Sequence, residues 1–247
     1  MAQEKQLTSA SYLMPRRLKY TPRIHKGAYF VIKHLQKFIE SSINQYVKAG
    51  STIADVGCGE QPMRPLIKEK GGQYIGIDVS QNSQNNVDIV CSATSIELAD
   101  NSVDNILCTE VIEHIPDIDK VFSELTRILR SDGYIILTCP FLYFLHEEPH
   151  DFNRPTPHLI QHMADKYSLR VVKLEKTGNE IEVICTVFDS ILSEYIFSNR
   201  IVQFVWNVLR IGPRLLSNSV TLIISKIFDR ILNKKYYLTN VVIFQKK

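Results

Sequence analysis

Glycines and carboxylates stand where two consecutive apolar segments end. Gly57 and Gly59 follow the apolar segment 51–56, and Asp78 ends the next apolar segment, 23 residues after Asp55. Glycines in such a turn let the backbone approach a ligand that a Cβ atom would repel. A carboxylate at the end of the following strand can accept hydrogen bonds from both hydroxyls of a ribose. The spacing therefore predicts a site for a ribose-containing ligand.

Two common phosphate-binding patterns do not fit this turn. The dinucleotide fingerprint requires a third glycine, and Pro62 stands at that position. The P-loop requires a Gly-Lys-Ser or Gly-Lys-Thr run, and none follows. Neither pattern explains the turn.

A second group of reactive side chains follows the fifth predicted strand. Residues 140–155 are rich in histidine, proline and aromatic residues, and they include His146, His150 and Asp151. Either histidine can serve as a general base, with Asp151 or Glu147 orienting the imidazole. The alternative is that these residues cap helices and pin the loop. The sequence leaves both interpretations open.

The same loop contains a His-Glu-x-x-His pattern at 146–150, which is typical of zinc proteases. That chemistry needs both histidines on one face of a continuous helix, and Pro149 interrupts a helix there. His158 and His162 are also four residues apart, but a lone pair at this spacing usually belongs to the surface or the core. The sequence predicts no metal site.

The elements that must position these residues alternate between strands and helices. Apolar residues at three-to-four spacing predict an amphipathic helix over 26–47. Strands are predicted at 51–56, 73–78, 87–91, 103–108, 134–139 and 169–176, and helices at 62–70, 118–130 and 157–167. This order predicts a parallel sheet with helices on both faces. Two or three helices broken near Gly212-Pro213 precede a last strand within 237–247.

Four segments, in order and at normal spacings, resemble the class I S-adenosylmethionine-dependent methyltransferases of the small-molecule type. They are residues 53–59, 74–78, 100–107 with 110–114, and 129–135. The loop at 140–155 resembles one found in methyltransferases of surface-polysaccharide and glycolipid pathways. The resemblance implies a Rossmann-like α/β fold with a doubly wound seven-stranded sheet, here with a helical insertion before the last strand. It also implies S-adenosylmethionine as the cofactor.

The resemblance implies roles for the residues of the glycine turn. The backbone at Gly57, Cys58 and Gly59 is expected to lie under the methionine part of the cofactor. Asp55 is expected to help hold the amino group of the cofactor, and Asp78 to hold its ribose.

The family pattern is incomplete after the third strand. Its members usually carry an acidic residue there for the adenine amine, whereas Ser92 stands at that position and Ala93 follows it. The adenine contact is therefore expected to rest on the backbone and on Ala93 and Thr94. Thr109 and Glu110 are expected to line the floor beneath the sulfonium.

The chain divides into four predicted segments: a basic arm at 1–26, a methyltransferase core at 27–182, a helical insertion at 183–236, and the last core strand at 237–247. Residues 5–39 contain eight Lys and Arg residues and no acidic residue. The insertion is apolar, and it suits a lid over the site, a homodimer interface or a membrane-surface helix. The basic arm favours the last of these.

Composition limits the classes of function. The 247 residues are 45% hydrophobic and 22% charged, which excludes fibrous and wholly disordered chains, and the net charge of +3 does not indicate a nucleic-acid binder. The five cysteines form no disulfide or zinc framework, and no signal peptide or membrane span stands out. We therefore expect a cytoplasmic protein, at the inner face of the membrane if the insertion contacts lipid.

The expected function is methyl transfer from S-adenosylmethionine to a small-molecule, lipid-linked or sugar-linked acceptor, at oxygen. One alternative is a non-catalytic binding or scaffold protein that keeps the fold. A more remote alternative is a metal-dependent hydrolase.

Overall fold

A computed structural model of the chain describes residues 20–193, 198–228 and 230–247. The strands are β1 (Thr52–Val56), β2 (Gln73–Asp78), β3 (Ile89–Val90), β4 (Val103–Thr109), β5 (Leu129–Pro140), β6 (Leu169–Thr177) and β7 (Thr239–Lys246). The helices are α1 (Tyr29–Tyr46), α2 (Arg64–Glu69), α3 (Ile118–Ile128), α4 (Pro157–Lys166), α5 (Glu180–Ser193), α6 (Arg200–Leu209) and α7 (Ile211–Phe228), with a 3₁₀ turn at Ile112–His114.

The seven strands form one sheet in the order β3-β2-β1-β4-β5-β7-β6. Strands β1 to β5 are parallel, and β7 runs antiparallel between β5 and β6. The order reverses at β1, which pairs with β2 on one side and with β4 on the other. In open α/β sheets, ligands bind in the crevice at the carboxyl ends of the strands beside such a reversal. The predicted doubly wound, seven-stranded fold is confirmed, but the prediction of a parallel sheet is wrong for its last part, because β7 is antiparallel to both of its neighbours.

Each face of the sheet has its own apolar core. Alternate residues of a strand point to opposite faces, so Ala54 and Val56 of β1 belong to one cluster and Ile53 to the other. The first cluster includes the buried face of α3, and the second includes that of α1. Because helices cover both faces, the central strands are mostly buried, and a site can form at their carboxyl ends.

Some predicted boundaries are wrong in detail. Helix α3 ends at Ile128 rather than Arg130, because Leu129 adopts an extended conformation and pairs with Val103 of β4. The register then shifts, and Asn105 pairs with Tyr134. Strand β3 is shorter than the predicted 87–91.

In the part of the chain that the structure describes, three helices lie between β6 and β7, and the break between α6 and α7 lies at Arg210 rather than at Gly212-Pro213. Pro213 is tolerated inside α7 because it stands in the first turn, where backbone N–H groups have no intrahelical partner. The side chains of Arg214 and Asp189 form an ion pair that joins α7 to α5. Residues 1–19 of the basic arm, which include Lys5, Arg16, Arg17 and Lys19, lie outside the described residues. The predicted role of the arm at a membrane surface therefore stays a prediction. Among the described helices, none is long and apolar enough to cross a bilayer.

Candidate functional site

One cavity of about 720 Å³ opens where the carboxyl ends of β1, β2 and β4 meet the loops after β3 and β5. Of the residues predicted from the sequence, those that line it are Asp55, Gly57, Cys58, Gly59, Asp78, Ser92, Ala93, Thr94, Thr109, Glu110, His146, Glu147 and His150. These residues come from five separate stretches of the chain. The cavity therefore unites the two groups of reactive side chains that the sequence shows far apart.

The glycine turn after β1 is a tight backbone structure. Gly57 and Gly59 both have positive φ angles, of +73° and +50°. The N–H groups of Gly57 and Cys58 donate to the carbonyl of Ile77, at 2.8 and 3.0 Å, which fastens the turn to β2. A Cβ atom on Gly57 would lie 2.3 Å from Cγ2 of Val111. The nearest obstacle at this position is thus a protein side chain beneath the turn.

Asp55 is a buried carboxylate with one strong partner. Only 4% of the residue is exposed, and the Tyr74 hydroxyl donates to its Oδ2 at 2.6 Å. Burial raises the pKa of Asp55 to about 7, although the Tyr74 hydrogen bond opposes the shift. A positive group in the cavity would stabilise the ionised form. The environment of Asp55 therefore fits the amino group of S-adenosylmethionine.

Asp78 is fixed over the glycine turn by backbone hydrogen bonds. Its Oδ2 accepts from the Gly59 N–H at 2.9 Å, and its Oδ1 accepts from the Ser80 N–H at 3.4 Å. The residue ends β2, is 6% exposed and lines the cavity. A carboxylate so oriented suits the hydroxyls of a ribose. Together with Asp55 and the glycine turn, it forms a donor and acceptor set that fits the cofactor.

The loop after β3 presents neutral groups to the cavity. The hydroxyls of Ser92 and Thr94 lie 2.8 Å apart, and Ser92 Oγ accepts from the Thr94 N–H at 3.2 Å. This is a local turn with no carboxylate. An adenine amine would find hydroxyl and carbonyl oxygens here, as the sequence predicts.

His146 faces the cavity and is backed by a buried ion pair. Its Nδ1 lies 3.2 Å from Oδ2 of Asp151, and its backbone N–H donates to the same oxygen at 2.9 Å. Arg154 binds the carboxylate of Asp151 with two nitrogens, at 2.5 and 2.7 Å. Burial, and then the neighbouring His114, lower the pKa of His146 below its ordinary value. The imidazole is therefore neutral at pH 7, with its Nδ1 proton directed at an acceptor.

Asp151 and His150 are placed differently from His146. Asp151 is absent from the cavity lining, and its side chain is 1% exposed. Its burial opposes ionisation, but hydrogen bonds from Arg154 and His146 lower its pKa overall. His150 is exposed, and its backbone carbonyl accepts a hydrogen bond from Nδ1 of His114. The geometry favours His146 as the base and Asp151 as the group that orients it.

The sequence analysis overlooked His114 as a site residue. It ends the 3₁₀ turn that follows β4, lines the cavity, and stacks edge-on against His146 with ring centroids 4.9 Å apart. A usable signal exists, because the carboxyl end of every parallel strand faces the crevice. A histidine five residues beyond the end of β4 belongs among the candidates.

Part of the chain is similar in sequence to known methyltransferases. Residues 54–137, from β1 to β5, match a family model described as a methyltransferase domain. Methyltransferase GfsG of Streptomyces halstedii is 33% identical over 106 residues, which cover 37% of this chain and 38% of that protein. A ubiquinone biosynthesis O-methyltransferase of Idiomarina loihiensis is 28% identical over 103 residues, which cover 36% of this chain and 42% of that protein. The chain thus matches less than half the length of these relatives.

Solved structures show the same fold. A S-adenosylmethionine-dependent methyltransferase from Archaeoglobus fulgidus superposes with a TM-score of 0.54 at 18% identity, over 88% of this chain and 100% of that one. At this level of identity, the likeness concerns the fold.

Proposed function

We propose that this chain is a class I S-adenosylmethionine-dependent methyltransferase and that it transfers a methyl group to an oxygen of a small-molecule, sugar-linked or lipid-linked acceptor. One observation carries the proposal. The cavity that holds the glycine turn and Asp78 also holds His146, a neutral imidazole oriented by a buried carboxylate. Cofactor residues and a base candidate thus share one cavity.

The half of the cavity at β1 and β2 suits the cofactor. Asp78 accepts hydrogen bonds from the ribose, and Asp55 holds the amino group. The backbone at Gly57 and Gly59 carries no side chain and lines the cavity, which favours close approach of the cofactor. The protein contributes mainly orientation here, which can supply about 7–11 kcal/mol of the barrier at best.

The half at β4 and β5 suits the acceptor. When bound, S-adenosylmethionine supplies the methyl group: the acceptor oxygen bonds to carbon as the carbon–sulfur bond breaks, and the electron pair stays on sulfur. The hydroxyl proton passes to Nε2 of His146. Asp151 stabilises the resulting imidazolium through Nδ1, and Arg154 keeps that carboxylate in place. Incubating cell extract with labelled cofactor and the purified protein, then identifying the labelled product by mass spectrometry, tests the activity and identifies the acceptor.

Replacing Asp78 with alanine is expected to weaken cofactor binding by about 1.5–3 kcal/mol, the range for hydrogen bonds to a charged group. Isothermal titration with S-adenosylmethionine measures this loss. Asp88→Ala is the matched control, because Asp88 also accepts a β2 backbone N–H, that of Gly76 at 2.7 Å, but does not line the cavity. Equal affinities for the wild type and Asp78→Ala would exclude the ribose assignment.

The helices between β6 and β7 support a lipid-linked acceptor, because α7 buries polar residues while many apolar residues of this segment are exposed. The buried residues of α7 are Asn218, Thr221 and Ser225, all polar. Exposed apolar residues of α6, α7 and the segment after α7 include Ile201, Phe204, Leu209, Leu216, Ile223, Ile227 and Ile231. An amphipathic helix on a core normally buries its apolar side. We infer that this apolar surface, defined by those seven residues, lies in a membrane interface.

The charges around the apolar surface favour anionic lipid. Between residues 198 and 236 the sequence holds seven basic residues and one acidic residue. Arg23 of the N-terminal arm is also exposed. Basic residues near an anionic surface contribute about 1 kcal/mol each, and salt screens that contribution.

We expect the protein to sediment with vesicles of phosphatidylglycerol and phosphatidylcholine, and high salt to reverse this only in part. The double variant Ile223→Asp/Ile227→Asp should lose the binding, since charged side chains oppose burial in the interface. The matched control Val90→Asp/Val172→Asp adds the same charge at exposed valines of β3 and β6 and should still sediment. If the wild type stays in the supernatant and elutes as a dimer, the apolar surface is a subunit interface instead.

A further inference from the structure

A carboxylate beside the cavity is buried without a hydrogen bond. Glu113 is 0% exposed, and among the described residues neither of its oxygens has a hydrogen-bond partner. Burial of an ionised carboxylate carries a large free-energy penalty unless a counter-charge lies nearby. This arrangement calls for a proton or a cation at Glu113.

His114 presents a free imidazole lone pair next to this carboxylate. Its Nδ1 donates to the carbonyl of His150 at 2.7 Å, because a carbonyl oxygen can only accept. The neutral ring therefore carries its lone pair on Nε2. That atom lies 3.8 Å from Oε1 of Glu113 and 3.9 Å from Oε2 of Glu147.

His146 is arranged in the same way. Its Nδ1 faces the carbonyl of Phe144 and the carboxylate of Asp151, each at 3.2 Å, so the proton lies on Nδ1 and the lone pair on Nε2. Histidines that ligate a metal usually donate the other ring N–H to a carbonyl or a carboxylate. Here one histidine donates to a carbonyl, and the other faces a carboxylate held by Arg154.

We propose that Glu113, His114 and His146 bind a divalent transition-metal ion at the acceptor end of the cavity. One donor atom from each residue lies within 4.8 Å of the others, so small side-chain movements close the site. Two imidazoles and one carboxylate suit Zn²⁺, Mn²⁺, Fe²⁺ or Co²⁺, whereas Mg²⁺ and Ca²⁺ prefer oxygen ligands alone. The sequence predicts no such site, since its ligands come from two loops 32 residues apart.

The role of the ion rests on the proposed function. A hydroxyl bound to such an ion loses its proton more readily, because the ion stabilises the oxyanion. The ion would then orient and activate the acceptor oxygen. With the ion bound, His146 would be a ligand instead of the base, because its single Nε2 lone pair cannot both bind the ion and accept a proton. The proton of the acceptor hydroxyl would then pass to solvent, and Asp151 would position the ligand.

The test uses the full chain, treated with chelator, and then dialysed against Zn²⁺ or titrated with Co²⁺ alone. We expect about one equivalent of Zn²⁺ per chain by metal analysis, and Co²⁺ absorption bands of a coordinated site. Glu113→Gln and His114→Ala should lose both signals. Asp151→Asn should weaken binding by about 10–100-fold, the usual effect of removing a group that orients a ligand. His162→Ala, an exposed histidine of α4, should retain full binding.

Affinity for S-adenosylmethionine is measured on every variant, because it reports folding and the cofactor half independently. Cation binding that is absent from the wild type, or unchanged in Glu113→Gln and His114→Ala, overturns the metal site while the methyltransferase proposal stands. A protein that binds the cation but no cofactor would overturn the proposed function and leave the metal site intact.

Discussion

Replacing Gly57 with valine is expected to abolish cofactor binding and to lower thermal stability. The φ angle of +73° is unfavourable for any residue with a side chain, and this strain costs about 1–3 kcal/mol. The added Cβ would also lie 2.3 Å from Val111 Cγ2, and overpacking adds about 1–3 kcal/mol. The turn must shift to relieve the clash, and the hydrogen bonds from Gly57 and Cys58 to Ile77 shift with it. Isothermal titration and thermal unfolding measure the two effects.

The chain offers a matched control for the backbone strain. Gly50 has a similar φ of +80°, but a Cβ there would meet no atom within 4 Å. Gly50→Val should therefore lose only the stability due to φ and keep its cofactor affinity. Gly57→Ala should be less damaging to thermal stability and cofactor affinity in a Val111→Ala background than in the wild type, because the methyl groups of Val111 that collide with the new Cβ are gone. Wild-type affinity in Gly57→Val would show that the turn is not the cofactor site.

Turnover of His146→Ala is expected to fall by about 10²–10⁴-fold, the usual contribution of a general base. Cofactor affinity should not change, since His146 lies in the acceptor half of the cavity. The assay uses labelled cofactor and the acceptor found in cell extract. His150→Ala is the control from the same loop. It should have a small effect, because the contact of His150 with His114 is made by a backbone carbonyl. Equal turnover in His146→Ala and the wild type would make the loop structural.

The pH profile of the chelator-treated enzyme gives an independent signature. The base must be neutral to accept a proton, and burial with the neighbouring His114 lowers the pKa of His146 below 6.5. Turnover should therefore be constant around neutral pH, and its acidic limb should lie at lower pH than that of an ordinary histidine. Asp151 opposes this shift by favouring the imidazolium. Asp151→Asn should move the acidic limb to still lower pH and also reduce turnover. A limb that moves to higher pH would contradict the assignment.

The amino-acid sequence was enough to predict the seven strands and the residues of the cofactor half of the candidate site, although not the antiparallel direction of β7. The alternation of apolar runs and helical periodicity is local, and it leads directly to the observed strands from β1 to β7. The glycine turn and Asp78 stand at strand ends, and parallel strands bring their carboxyl ends to one edge. Residues predicted this way need only the correct fold to come together, and Asp55, Gly59 and Asp78 line one cavity.

Only the tertiary structure decided the acceptor half. Two histidines of one loop looked equivalent in the sequence, yet His146 faces a buried Asp151 while His150 offers its carbonyl to His114. The obstacle under Gly57 is Val111, and the partner of Asp55 is Tyr74. Such contacts join residues far apart in sequence, and they depend on how loops pack over the sheet. Periodicity and strand-end signals say which edge a side chain reaches, whereas its partner, its burial and its protonation follow from that packing.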